Sequence, residues 1–427
     1  MELERSQVRK RNLMMVFGAF AIFFTGYPHV WSLYQPYVME AAGWTQTQAS
    51  MCFYLSFVTF VFGNIIGGRI QDRHNPKIVI LVGGGIFAAG VLLSAFLIIP
   101  SPLPIYFTYG IMQGFGQGMI YTTIISTAQK WFPHKTGFAS GVVVTANGLC
   151  GFFLAPLSRM ILGSRGPKAA LLTVGTGIAI SWILGVLFIN NPEKEVEKKL
   201  LEAATKGQRK DGTKEQHQYT SGEMIRTKKF YLLVATMLCG LMSYFMVSPV
   251  SQIIQSDRGI SAGIAASAVT FGSVMNAVVR LLLPTIADKA GRTRCVKGVA
   301  AATVTAMIVL VLSKSYVTTA AIIVMYGCYG GIMGSFPSLT SSIFGLKHSG
   351  ENYGIVMSGI VIASLGAPAI SGAITGAGGD MNTVFKIGVG FAAVAFVCIL
   401  LLEKELKNKK DSKKTENMKE EKAVCQL

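Results

Sequence analysis

Apolar and polar positions in this chain separate into long blocks rather than short periods. Twelve apolar runs cover residues 13–35, 49–70, 78–99, 103–129, 138–162, 169–190, 230–254, 262–287, 295–314, 317–344, 352–376 and 382–402. At ~1.5 Å rise per residue, each is long enough to cross a hydrocarbon core about 30 Å thick as a helix. The pattern predicts an all-α integral membrane protein of twelve transmembrane helices joined by short loops.

Charge orients these helices. The chain is 51% hydrophobic and only 14% charged, and its formal net charge of +18 is placed by topology. Arg5, Arg9, Lys10 and Arg11 precede the first run, and Arg69, Arg73 and Lys77 follow the second. Ten Lys/Arg lie in 191–229, four in 289–297 and eight in 403–427, whereas loops 36–48, 100–104 and 377–381 have none. An excess of Lys and Arg marks the cytoplasmic side. Both termini are therefore expected in the cytoplasm, with the chain in the plasma membrane. The basic balance is read as topology and lipid contact, not as nucleic-acid binding.

The second half of the chain repeats the first. Gly67-Gly68-Arg69-Ile70-Gln71-Asp72-Arg73 follows the second run, and Pro284-Thr285-Ile286-Ala287-Asp288-Lys289-Ala290-Gly291-Arg292 follows the eighth. Each is an acidic-then-basic hinge at the same place in its half, and Pro156 and Pro368 match late in runs five and eleven. The reading is a six-helix half over 1–190, a cytoplasmic linker over 191–229, a second six-helix half over 230–402 and a basic solvated tail over 403–427. A surface helix is expected at the start of the linker. Two parallel repeats with a linker are an architecture of secondary transporters, whose substrate site lies between the halves. One chain holds both halves, so a monomer is expected to suffice.

Arg280 is the residue that points to chemistry. It lies eight residues before Asp288, about 12 Å into the membrane from that helix end. A cation at the bilayer centre costs roughly 2.5–3.5 kcal/mol on insertion scales. Such a residue marks a pathway or counter-ion site, and a small organic anion is its simplest partner. The alternative is an arginine that snorkels or ties helices together through backbone carbonyls. Nothing in the chain has the spacing of a metal site, a phosphate-binding loop or a nucleophile elbow. No enzyme activity, cofactor, metal site or catalytic residue is therefore expected.

The repeated hinges resemble the signature loops of the major facilitator superfamily. That resemblance implies a cytoplasmic charge relay of Asp72, Arg73, Asp288 and Arg292 that latches one state. A narrower resemblance, to the oxalate/formate antiporter family and the related monocarboxylate transporters, covers most of the chain. It rests on Trp31-Ser32-Leu33-Tyr34, Lys130-Trp131-Phe132-Pro133-His134-Lys135-Thr136-Gly137, Ser221-Gly222-Glu223-Met224, Phe336-Pro337-Ser338 and Asn352-Tyr353-Gly354. Arg280 falls where that family places its substrate-binding arginine. The family's oxalate exchanger also carries a lysine on helix eleven, where this chain has Ile360 and no Lys, Arg or His on that helix. A dianion needs two buried positive partners, whereas one arginine fork can hold one carboxylate. The expected function is therefore secondary transport of small monocarboxylates such as lactate, pyruvate or formate by alternating access. A dicarboxylate antiporter of the oxalate/formate type is the alternative.

Other residues join the candidate site. Asn276 lies one turn before Arg280 on the same face, so it can orient the guanidinium or bind a substrate hydroxyl. Tyr121 in run four and Tyr329 in run ten are expected at the cavity, with Tyr34 and Trp31 either at an outer gate or in an aromatic belt. His29 lies within a run beside Pro28 and is expected either as a proton-coupling residue or as a buried neutral histidine bonded to a carbonyl. No Asp or Glu lies mid-membrane, so a carboxylate proton relay is not expected.

Overall fold

The computed structural model describes residues 4–209, 217–313 and 315–424. The side chains of His29, Gln46, Thr47, Pro249, Gln252, Ile253, Ala262, Ala266, Val269, 203–209 and 409–424 lie outside the described residues. Among the described residues, nine helices have the length and apolarity to cross a membrane. One of them, Thr136–Phe188, breaks at Gly166 (φ 75°, ψ 179°) and holds the fifth and sixth crossings. The first crossing is Arg5–Phe24 and Trp31–Ala42, separated by the 3-10 turn Tyr27–Val30. The fourth passes through a π-helical segment, Tyr106–Gln113, into Gly114–Trp131. These account for the twelve expected crossings.

Local chemistry sets the helix ends. Thr45 accepts the Gln48 N–H while the Gln48 side chain accepts the Thr45 N–H, a reciprocal cap that starts the second crossing, Gln46–Arg73. Asn75 caps the third, Pro76–Ser94, which opens on its proline. Gly291, at φ 99°, separates the eighth crossing, Ala262–Ala290, from the ninth, Arg292–Leu312. Proline turns interrupt the first and seventh crossings at matching places, Tyr27–Val30 and Ser248–Val250. A proline ring removes a backbone donor and clashes with the preceding turn.

The tenth crossing, Val317–Phe344, is buried almost all round from Met325 onward, as is Gly114–Trp131 in the fourth. Outward faces of other helices carry exposed apolar side chains, including Ile78, Leu81 and Val82 on one helix. A helix wall that is apolar on the outside fits lipid rather than water. The start of the first crossing and the polar end of the twelfth lie at one face of the bundle. There Lys10 pairs with Glu193 at 2.7 Å, and Lys297 pairs with Glu403 at 2.8 Å. This end is called the terminal face below.

Two expectations outside the crossings concern the linker and the tail. The linker does open on a helix, Lys194–Arg209. The backbone of the tail as far as Val424 continues the twelfth crossing as one helix, Met381–Val424. Glu403 binds Lys407 one turn on at 3.0 Å, a pairing that supports helix in a polar stretch.

Candidate functional site

Arg280 is 2% exposed and sits between the two halves. Its Nε donates to Asn276 Oδ1 at 2.8 Å within the eighth helix. Its Nη1 crosses to the fifth helix and donates to Asn147 Oδ1 at 2.9 Å and to the Val144 carbonyl at 3.4 Å. Its guanidinium carbon lies 5.1 Å from the Tyr329 ring centroid, within range of cation–π attraction. Glycine makes this approach possible. A Cβ at Gly148 would lie 3.3 Å from Arg280 Cδ, and one at Gly334 would lie 2.7 Å from the Arg280 carbonyl oxygen. Among the described residues, no ion pair involves Arg280. Its charge is met only by neutral acceptors and a ring face.

A cavity opens beside it, lined in part by Thr25, Gln117, Tyr121, Asn147, Tyr329 and Ile360. Asn147 and Tyr329 therefore touch both Arg280 and the cavity. The structure brings Arg280, Asn276, Tyr329 and Tyr121 to this one region, from the eighth, tenth and fourth helices. It also places Ile360, an apolar side chain, in the wall.

Sequence reasoning missed Asn147 and the polar chain behind it. Gln113 Nε2 donates to Gln117 Oε1 at 2.6 Å, and Gln117 Nε2 donates to the Thr25 carbonyl. Asn147 Nδ2 donates to Thr25 Oγ1 at 3.0 Å. The chain thus links the break in the first helix to Arg280 through four helices. A detectable signal existed, since three amides inside apolar runs must find partners. Only the basic residue was weighted, because an amide in a membrane helix is as readily a packing contact.

Tyr34 lies elsewhere. Its hydroxyl is 3.0 Å from Ser158 Oγ, and its ring packs with Trp31 and Tyr27 in a buried aromatic cluster that includes Tyr109. Trp31 Nε1 donates to the Ala49 carbonyl at 2.9 Å, which ties the broken first helix to the second. His29 falls in the Tyr27–Val30 turn, and its side chain lies outside the described residues.

At the terminal face the hinge aspartates cross between halves. Asp288 accepts the Gly137 N–H at 3.1 Å and the Phe138 N–H at 3.0 Å, at the start of the fifth helix. It also binds Arg292 at 2.9 Å, and Arg292 donates to Thr136 Oγ1 at 2.8 Å. Asp72 accepts the Glu351 N–H at 2.9 Å, at the start of the eleventh helix. Each aspartate thereby caps a helix of the opposite half, where free N–H groups and the helix dipole favour a negative charge. Arg73 is exposed, and the cation beside Asp72 is Lys130 at 3.7 Å. A lysine at the end of the fourth helix reaches inward, whereas a residue directly after Asp72 points away from it. His134 and His348, in loops at this face, are held below the ordinary histidine pKa by burial and then by neighbouring lysines, Lys135 and Lys347 respectively. The closed terminal face is completed by Ser126 and Ser349, 2.6 Å apart, and by the direct backbone approach of Gly68 to Gly350.

The chain is 26% identical to the oxalate:formate antiporter of Oxalobacter formigenes, over 87% of this chain and 86% of that protein. It is 25% identical to the uncharacterized MFS-type transporter YhjX of Escherichia coli (strain K12), over 84% and 86% respectively. A shorter stretch, 26% of this chain, is 29% identical to human monocarboxylate transporter 11 and covers 23% of that protein. Among solved structures, the fucose transporter FucP in its outward conformation superposes with a TM-score of 0.64 at 15% identity, covering 93% of this chain and 99% of that one. The proton:xylose symporter XylE superposes at 0.67 with 12% identity, covering 93% and 96%. The family profile described as Major Facilitator Superfamily matches residues 15–350. With these crossings, the inter-half cavity and that match, the chain belongs to the Major Facilitator Superfamily, a family of multi-pass membrane transporters rather than enzymes.

Proposed function

We propose that this protein is a secondary carrier for small organic monocarboxylates, working by alternating access with Arg280 as the anchor for the carboxylate. The observation that carries the reading is a buried arginine between the halves whose acceptors, among the described residues, are all neutral. An anion entering the cavity competes with Asn147 for the guanidinium and cancels its charge. Closing the cavity over an unpaired cation is costly, so occupancy and closure are coupled. Ile360 supports one carboxylate rather than two, because the wall offers a second carboxylate an alkyl side chain. The name of the Oxalobacter relative supports the dicarboxylate exchanger as the second reading.

In this reading the terminal face is cytoplasmic, the membrane is the plasma membrane and the carrier works as a monomer. The state described is closed toward the cytoplasm. The hinge residues Asp72, Asp288 and Arg292 hold it closed, with Lys130 beside Asp72. Anion exchange needs no intramembrane carboxylate; proton symport would call on His29 or on a tyrosine–arginine network. The test is labelled L-lactate counterflow in proteoliposomes with wild type and Arg280→Ala. The variant is expected to insert normally and to lose at least 100-fold in exchange rate, the scale of a lost charge-assisted carboxylate contact. Undiminished exchange by a correctly inserted variant refutes the reading.

A further inference from the structure

Two phenols lie on the terminal-face side of the Arg280 cavity, and the reading above gives no role to one of them, Tyr353. Tyr121 and Tyr353 are each 2% exposed and lie against each other, and neither hydroxyl reaches a partner in hydrogen-bond geometry. They belong to opposite halves, Tyr121 to the fourth crossing and Tyr353 to the eleventh. Three contacts fix their register. The hydroxyls of Ser126 and Ser349 meet at 2.6 Å, and the two helices run antiparallel. Stepping back five residues on one and forward four on the other brings Tyr121 and Tyr353 to the same depth. The carbonyl of Asn64 then joins their chain neighbours. It accepts the Thr122 hydroxyl at 3.1 Å, and a Cβ at Gly354 would lie 2.7 Å from it. Tyr121 lines the cavity, as does Ile360, seven residues on from Tyr353 and past the turn at Met357 that separates Ser349–Val356 from Ser358–Gly376.

We infer that Tyr121 and Tyr353 form a two-donor site for an oxygen of the transported anion, shared between the halves. A buried O–H without an acceptor is expensive to maintain. Beside an unpaired cation, the group that satisfies both donors is an acceptor-only oxygen, as in a carboxylate. The pair exists only while the terminal face is closed, because opening that face moves the two halves apart. An anion held by both phenols therefore favours the terminal-closed state, since a ligand shifts an equilibrium by its differential affinity for the two states. Tyr353 thereby acts as an affinity-setting residue, and this rests on the carrier reading above.

The experiment is counterflow of labelled L-lactate, formate and oxalate in parallel, by wild type, Tyr121→Phe, Tyr353→Phe, the double variant and Arg280→Ala, with melting temperatures of each. Phenylalanine keeps the ring and removes only the hydroxyl. For whichever anion is exchanged, each single variant should raise KM about tenfold, the scale of one hydrogen bond to a charged group, with maximal rate little changed. The double variant should add less than a further tenfold, because the two donors serve one oxygen. Melting temperature should not fall, since an unpaired buried hydroxyl contributes no hydrogen bond to the empty fold. An unchanged KM in Tyr353→Phe, with exchange lost in Arg280→Ala, overturns the tyrosine site and leaves the carrier reading standing. Exchange that survives Arg280→Ala overturns the carrier reading, and the KM values of the tyrosine variants still decide for or against the two-donor site.

Discussion

Arg280 stands out in the sequence as a lone cation in an apolar run, and its burial between helices is where the structure places it. Its partners are not equally legible. Asn276 follows from helix periodicity, which places it one turn away, and its amide accepts Arg280 Nε at 2.8 Å. Asn147 lies on another helix, and no one-dimensional pattern states which helices meet. That residue carries a sharp prediction. Asn147→Asp supplies a fixed carboxylate 2.9 Å from the guanidinium, at the place where Asn147 Oδ1 now accepts. A built-in counter-ion should exclude the substrate anion, raising KM for lactate counterflow at least tenfold. A KM within twofold of wild type would show that the anion does not compete for this nitrogen. Tyr34 illustrates the opposite case: an aromatic motif visible in the sequence packs into a cluster by the first-helix break, with its hydroxyl on Ser158.

At the scale of elements, twelve crossings could be counted from apolar blocks, because burial in lipid demands long uninterrupted helices. The breaks were less visible. Pro28 announces the turn at Tyr27–Val30, but the π segment Tyr106–Gln113 has no proline to mark it. The helix that runs on into the tail was not visible in its polar composition, although Glu403–Lys407 pairing one turn apart favours helix without any apolar face. The hinges were visible as charge patterns, but the donors their aspartates meet are backbone N–H groups, which no side-chain pattern reveals. Asp288→Asn should weaken the cap on the fifth helix, a change of about 1 kcal/mol on the scale of helix caps. A cysteine introduced at Thr127, buried in the fourth helix, should then be labelled faster from the terminal face. Labelling at the wild-type rate would mean that the aspartate does not hold the gate. Gly68→Ala should act in the same direction and more strongly, because its Cβ would meet the Gly350 backbone directly.

For the whole molecule, the arrangement is two six-helix halves that meet around the buried Arg280, with crossed aspartate caps closing the terminal face. The cation count is the feature that decides between substrates. In the proposed reading Arg280 alone suits a monoanion, and the cavity wall carries the apolar Ile360. The most direct test is competition of unlabelled formate, pyruvate and oxalate against labelled L-lactate counterflow, in wild type and in Ile360→Lys. Wild type should be inhibited by formate and pyruvate and resist oxalate, and the added lysine should make oxalate an effective competitor. Oxalate that competes with the wild type as well as pyruvate does, with no gain from the lysine, would contradict a single-cation monocarboxylate carrier.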